Sequence, residues 1–220
     1  MTKKLALGSA QWGLDYGISN SHGKPRINDI NAILKLAKKY SIDLIDTAQG
    51  YGDAELTIAK SSVDGFKLVS KISTKDLDYR LDIKSAVAQL AQKSLESLDS
   101  PKIYGLLIHD VDGLLTSDNA PDLVKAFIAL KQHQTIEKVG VSVYSSLQVK
   151  EILKLFVPDI VQVPVSIFDQ RMVVDNTLRR LSSLGVEVHA RSAFLQGLLL
   201  MRSDTLHQYF SPWQNALSGW

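Results

Sequence analysis

The chain has 220 residues, of which 45% are hydrophobic and 22% charged, with a formal net charge of +2; this is the composition of a globular domain large enough to bury a core. Basic and acidic side chains, 25 and 23 of them, are spread along the sequence. Short pairs such as Lys38–Lys39 and Arg179–Arg180 read as solvated helix faces, so nucleic acid is not an expected partner. Cysteine is absent, which removes disulfides and thiolate chemistry from consideration. The opening MTKKLALGSAQWGLDYG is basic, but its apolar part is too short and too interrupted by glycine for a signal peptide. No apolar run approaches the roughly 18 residues of a membrane span. A soluble, cytoplasmic protein with no membrane partner is expected, and the oligomeric state stays open.

In chain order, short β-rich runs fall at 5–10, 43–48, 66–72, 103–110, 138–144, 160–166 and 186–193. Between them lie stretches with helical spacing. Residues 27–40 place Ile30, Ile33, Leu34 and Ala37 on one face, and 82–98 do the same with Ile83, Val87, Leu90, Ala91, Ser94 and Leu95. Residues 120–133, 146–156 and 173–185 repeat the theme, the last ending at Gly185 as a C′ glycine. After Asp46 there is room for only a short helix, around 53–60.

Seven strands alternating with about six helices predict repeated right-handed βαβ units and a parallel sheet, and continuous apolar strands fit a sheet covered on both faces. A doubly wound sheet would favour a glycine-rich phosphate turn after the first strand, and GSAQWGLDYG matches neither that nor a P-loop. A (β/α)₈ barrel is preferred, as one domain over 1–220. The tail FSPWQNALSGW offers no eighth strand, so the barrel is expected to lack its eighth unit and to be incomplete at the C-terminus.

In such barrels the active site gathers at the C-terminal ends of the strands. Asp46 ends the second strand and Tyr51 lies in the loop behind it. Lys71 ends the third, His109 the fourth, Ser142 and Gln162 lie in the fifth and sixth, and Arg191 with Ser192 in the seventh. Singly, each has an ordinary reading: a turn aspartate, a packed tyrosine, a snorkelling lysine, a core histidine. Together on successive strand ends they make a coherent site for carbonyl reduction. A tyrosine hydroxyl, whose unperturbed pKa is about 10, is a slow acid without a cation beside it. Lys71 supplies that cation and Asp46 holds it in place. His109 polarises and orients a carbonyl oxygen. No side chain donates hydride, so a nicotinamide cofactor is required.

The segments IDTAQGYGDAE, KLVSKIS, LLIHDVD, KVGVSVYS, VQVPVSIFDQR and VHARSAFLQGLL, in this order and spacing, resemble the aldo-keto reductases over nearly the whole chain. The resemblance implies a catalytic tetrad of Asp46, Tyr51, Lys71 and His109 and reduction of an aldehyde, ketone or open-chain sugar with NADPH, or NADH in its place. It implies that Ser142 and Gln162 bind the nicotinamide carboxamide and that Gly8, Ser9 and Ala10 lie under the cofactor. Arg191, Ser192, Phe194, Gln196 and Gly197 would run along its pyrophosphate side, and Trp12 is a candidate wall of the substrate pocket, with core packing as its alternative.

The sequence departs from the family pattern in three places. Val143 follows Ser142 where the family often has asparagine, and Arg191 stands where many members have an aromatic residue. The third is the stretch with the eighth strand and the basic loop that grips the adenosine 2′-phosphate. Losing charge-assisted phosphate contacts, at about 1.5–3 kcal/mol each, would weaken NADPH binding by orders of magnitude. The same residues therefore also fit a nucleotide-sensing or structural subunit that keeps the fold but turns over poorly, or a truncated fragment. Neither a histidine pair nor clustered carboxylates suggest a metal site. The loop 11–29 resembles reductases of sugar or polysaccharide biosynthesis.

Overall fold

The computed structural model describes residues 5–202 and 205–218. Seven strands form one parallel sheet in sequence order: β1 (Leu7–Gly8), β2 (Leu44–Asp46), β3 (Lys67–Ile72), β4 (Ile103–Ile108), β5 (Ile136–Ser142), β6 (Ile160–Pro164) and β7 (Glu187–Arg191). Every neighbouring pair is parallel, which needs a crossover between each pair of strands. The result is a curled half-barrel of the (β/α)₈ type without its eighth unit. Among the described residues no strand follows β7; those at 198–202 and 205–218 carry only short helical turns and the helix Gln214–Ser218.

The helices are α1 (Ala10–Gly13), α2 (Ile27–Lys39), α3 (Ala54–Ala59), α4 (Ile83–Ser97), α5 (Val111–Leu115), α6 (Ala120–Ala129), α7 (Ser146–Leu155), α8 (Arg171–Val174), α9 (Thr177–Ser183) and α10 (Gln214–Ser218). Their starts follow local chemistry. The Asp82 carboxylate accepts the Ser85 N–H at 3.0 Å ahead of α4, and the Ser145 hydroxyl accepts the Gln148 N–H at 3.2 Å ahead of α7. On α2, Ile30, Leu34 and Ala37 are buried as the spacing predicts, whereas Ile33 turns outward and is exposed. The single helix expected over 173–185 is two: Asn176 adopts a left-handed φ of 60° between α8 and α9. Gly185, at φ 74°, ends the second as expected.

Alternation along the strands sorts side chains into two apolar layers. One set, including Ile45, Leu68, Leu106, Val139, Val161 and Val163, joins the helix faces of Ile30, Leu34, Leu90, Phe127, Ile152 and Leu181 in the main core. The other, Val69, Leu107 and Ile160 with Leu44 and Tyr104, fills the inside of the sheet. Near the N-terminal ends of the strands a polar cluster joins it. The Tyr104 hydroxyl and Lys138 both bond Glu187 Oε2, and His189 lies 2.7 Å from Glu187 Oε1. The strand ends opposite are thus left to other polar groups.

Strand spacing inside the sheet is tight where β5 meets β6. A Cβ on Gly140 would lie 2.0 Å from the Ile160 carbonyl oxygen, whereas one on Gly8 would meet no atom within 4 Å. Gly140→Ala is therefore expected to destabilise the fold by about 1–3 kcal/mol, read as a lower urea midpoint, while Gly8→Ala leaves the midpoint unchanged. Equal midpoints for the two variants would contradict this packing.

Candidate active site

The sheet register sets the site. Asp46 is the last residue of β2 and faces Gly8 on one side and Val69 on the other; Lys71 sits two residues further along β3. His109 follows β4 directly, its N–H donating to the Ile72 carbonyl at 2.8 Å. Ser142 ends β5 and pairs in register with Gln162 of β6, and Arg191 ends β7. The polar groups that the sequence places on successive strand ends do share one rim.

Lys71 is at the centre. Its side chain has no exposed surface. The ammonium donates to Asp46 Oδ2 at 2.8 Å and to the Thr47 carbonyl at 2.7 Å, and lies 3.4 Å from the Tyr51 hydroxyl. These three acceptors match its three N–H groups. Burial pulls the Lys71 pKa below the ordinary lysine range, and Asp46 opposes that pull. Asp46 is held from both sides, because Gln162 Nε2 donates to its Oδ1 at 2.7 Å.

Tyr51 reaches this cluster through a close approach of two glycines. A Cβ on Gly13 would lie 1.8 Å from the Tyr51 carbonyl oxygen, and Gly52 adopts a φ of 57° with the Gly13 carbonyl 2.4 Å from where its Cβ would be. The loop behind β2 is thereby pressed onto α1. Tyr51 and His109 meet edge to face with ring centroids 5.6 Å apart, and the Lys71 ammonium lies 4.8 Å from the Tyr51 ring centre. Burial pushes the Tyr51 hydroxyl well above its ordinary pKa, Asp46 adds to this, and Arg191 opposes it. Burial, then the Lys71 charge, lowers the His109 pKa, which keeps the imidazole neutral near pH 7.

Around this centre the other expected residues divide. Ser9 is fully buried with its N–H on the Asp46 carbonyl at 2.9 Å, and Ala10 opens α1 beside it. Ser142 is buried, and Gln162 offers an Oε1 that has no partner. Arg191 stacks on the Tyr144 ring at 4.1 Å and donates Nη2 to the Val143 carbonyl at 3.0 Å, while its Nε is buried without a partner. Ser192, at φ 61°, accepts from Arg191 Nη1 at 3.3 Å. Phe194 is exposed. Gln196 uses its backbone carbonyl to accept the Ile18 N–H at 2.9 Å, and a Cβ on Gly197 would strike the Ser19 hydroxyl at 1.9 Å. The segment after β7 is therefore fastened to the loop after β1. Trp12 is 6% exposed and packs in the main core.

Several residues with no distinct mark in the sequence also support the site. Thr47 supplies a carbonyl to Lys71, and Tyr144 supports Arg191. Tyr16, its hydroxyl pKa raised by burial and then by Tyr51, is an electrostatic neighbour of the site. Behind β3, Glu55 is buried and accepts the Ser70 hydroxyl at 2.6 Å, while Gln49 Nε2 donates to Ser94 Oγ at 2.8 Å. Ser70, a polar residue on the helix-facing side of an apolar strand, was the available signal, since a buried hydroxyl there needs a partner.

The asymmetry of the ion pair yields a test. Removing Asp46 strands a fully buried ammonium, while removing Lys71 leaves a carboxylate that is 19% exposed and still held by Gln162. Asp46→Ala is expected to destabilise by about 3–5 kcal/mol and Lys71→Met by less, measured by urea unfolding at pH 7. The reverse order would refute this account of the cluster.

The geometry has counterparts among known proteins. No curated protein matches the chain in sequence. A Pseudomonas aeruginosa structure assigned to the aldo-keto reductases is similar at 19% identity and a TM-score of 0.70, over 90% of this chain and 78% of that one. The aldo-keto reductase AKR11C1 from Bacillus halodurans, in its holo form, is similar at 22% identity and a TM-score of 0.69, over 93% and 66%. The Bombyx mori aldo-keto reductase AKR2E4 in complex with NADP is similar at 19% identity and a TM-score of 0.61, over 86% and 62%. These establish the shared fold. The family model described as the aldo/keto reductase family matches residues 4–218, and with that span the chain belongs to the aldo/keto reductase family.

Proposed function

We propose that this protein reduces an aldehyde, ketone or open-chain sugar to the alcohol, with Tyr51 as proton donor and NADPH, or NADH in its place, as hydride source. The observation that carries the reading is the buried Lys71 ammonium shared between Asp46 and the Tyr51 hydroxyl, with His109 against the same phenol ring. Family membership makes the chain an oxidoreductase of the carbonyl-reducing kind.

The residues present suit a nicotinamide dinucleotide. Buried, unpartnered Ser9 Oγ, Gln162 Oε1 and Arg191 Nε offer donors and acceptors for a carboxamide and its neighbours, and the space over Gly8 is open. Gln162 and Ser142 would hold the carboxamide, Gly8, Ser9 and Ala10 would floor the site, and Arg191 with Ser192, Phe194, Gln196 and Gly197 would follow its other end. When bound, the dinucleotide supplies the hydride that the carbonyl carbon receives.

The chain's own residues handle the proton. His109, neutral, donates a ring N–H to the carbonyl oxygen and fixes its direction. Tyr51 stays protonated throughout the neutral range, so the donor is always loaded. As negative charge develops on the oxygen, the Tyr51 O–H proton moves to it, and the phenolate left behind lies beside the Lys71 ammonium. Asp46, with one oxygen on Lys71 and the other on Gln162, keeps that ammonium charged.

Tyr51→Phe removes the proton and little else. With a reactive aromatic aldehyde and saturating NADPH, its turnover is expected to fall by about 10²–10⁴-fold, while NADPH affinity, read by fluorescence titration, stays within about twofold. Undiminished turnover would overturn the assignment of Tyr51. Tight NADPH binding by the unmutated protein with no turnover of any carbonyl would favour the nucleotide-sensing subunit instead.

A further inference from the structure

On the loop after β1 lies an open cavity of about 520 Å³ whose lining includes Gln11, Ser19, Asn20, His22, Lys24 and Arg26. Its position ties it to the site on two sides. Gln11 is two residues beyond Ser9, whose N–H is bonded to the Asp46 backbone carbonyl, so the floor begins within about 7 Å of chain from Ser9. On the other side, the Ser19 N–H approaches the Gln196 carbonyl at 3.4 Å, which joins this wall to the segment after β7.

The loop is organised in advance of any ligand. Asn20 Oδ1 accepts the backbone N–H groups of His22 and Gly23, each at 3.0 Å, and its Nδ2 lies within 3.2 Å of Asp15 Oδ1, the Tyr16 carbonyl and the Gly23 carbonyl. A side chain spent on its own loop holds the surrounding groups in place, which reduces the entropy lost when something binds.

The chemistry of the lining is specific. Pro25 is its one apolar side chain; the others are amides, hydroxyls, an imidazole, two cations and the carboxylate of Asp29. Lys24 is paired to Asp53 at 2.9 Å, and the Asp29 carboxylate accepts the backbone N–H of Arg26. The Arg26 guanidinium bonds to no group among the described residues, and a guanidinium is the side chain best matched to a phosphate. The Gln11 amide and the serine hydroxyls beside an unused guanidinium suit a hydroxylated carbon chain that ends in a phosphate. They do not suit an apolar tail.

We propose that this cavity binds a phosphorylated, hydroxylated carbon chain, with Arg26 and Lys24 on the phosphate and Gln11 and Ser19 on the hydroxyls. Two molecules carry that chemistry: a sugar phosphate whose carbonyl is reduced at Tyr51, and the ribose phosphate of the dinucleotide. The first rests on the reductase reading above; the binding itself does not.

The test uses sorbitol 6-phosphate, which has no carbonyl, together with NADPH and NADH, each titrated calorimetrically into the full chain and into Arg26→Ala and Lys24→Ala. Thermal unfolding confirms that both variants fold. Loss of one charge-assisted contact is expected to weaken binding by about 10- to 100-fold. A loss confined to sorbitol 6-phosphate assigns the cavity to the substrate, and a loss confined to NADPH assigns it to the cofactor. In the substrate case, Arg26→Ala also raises the KM for glyceraldehyde 3-phosphate and leaves that for glyceraldehyde unchanged. Unchanged affinities for all three ligands in both variants, or no binding of any by the unmutated chain, would overturn the site. If sorbitol 6-phosphate binds in an Arg26-dependent way but no carbonyl is turned over, the reductase reading fails and the site stands.

Discussion

The structure depends on how one ammonium is buried. Lys71 lies inside the sheet with no surface left to water, a position that an isolated charge does not tolerate. Three acceptors hold it there, and each comes from a different feature of the fold: a strand end for Asp46, the backbone just past that strand for Thr47, and a loop bent back over the rim for Tyr51. The loop reaches this position because Gly13 and Gly52 let two backbones come closer than side chains would permit. Satisfying the charge and building the acid are thus the same act of folding.

The polar groups divide the inside of the sheet into three levels. At the N-terminal ends Tyr104, Lys138, Glu187 and His189 bond one another; in the middle Val69, Leu107 and Ile160 form a dry layer; at the C-terminal ends stand Asp46, Lys71, His109, Ser142, Gln162 and Arg191. The dry layer keeps water from the floor of the site, which strengthens every electrostatic interaction above it. Of the five buried side-chain atoms without partners among the described residues, Ser9 Oγ, Gln162 Oε1 and Arg191 Nε lie at this upper level. Buried polar groups are normally satisfied, so such atoms at a rim mark where a ligand's groups belong.

Gln162 shows how the parts are linked. Its amide nitrogen steadies the carboxylate that holds Lys71, while its oxygen remains free on the same rim. A ligand that engaged that oxygen would press on the ion pair through a single rigid side chain. Arg191 adds a second cation, stacked on Tyr144 and bonded to the Val143 carbonyl. The valine that follows Ser142, read in the sequence as a lost amide, contributes through its backbone instead.

Much of this was legible from the residues in order. Continuous apolar runs separated by helical spacing determine a parallel sheet covered on both faces, and Asp46, Lys71 and His109 fall at or just past the ends of those runs, with Tyr51 in the loop after β2. What the sequence could not state is which groups bond across long separations. Asp46 and Gln162 are 116 residues apart, and only closure of the sheet brings them to 2.7 Å. Tertiary packing also buried Trp12 in the core, turned Ile33 outward, split the helix at Asn176, raised the Tyr51 pKa by desolvating its hydroxyl, and shaped the cavity beside Arg26. Local pattern determines which faces are apolar; the distances, burial and charge balance that make a site are set by neighbours the local pattern does not contain.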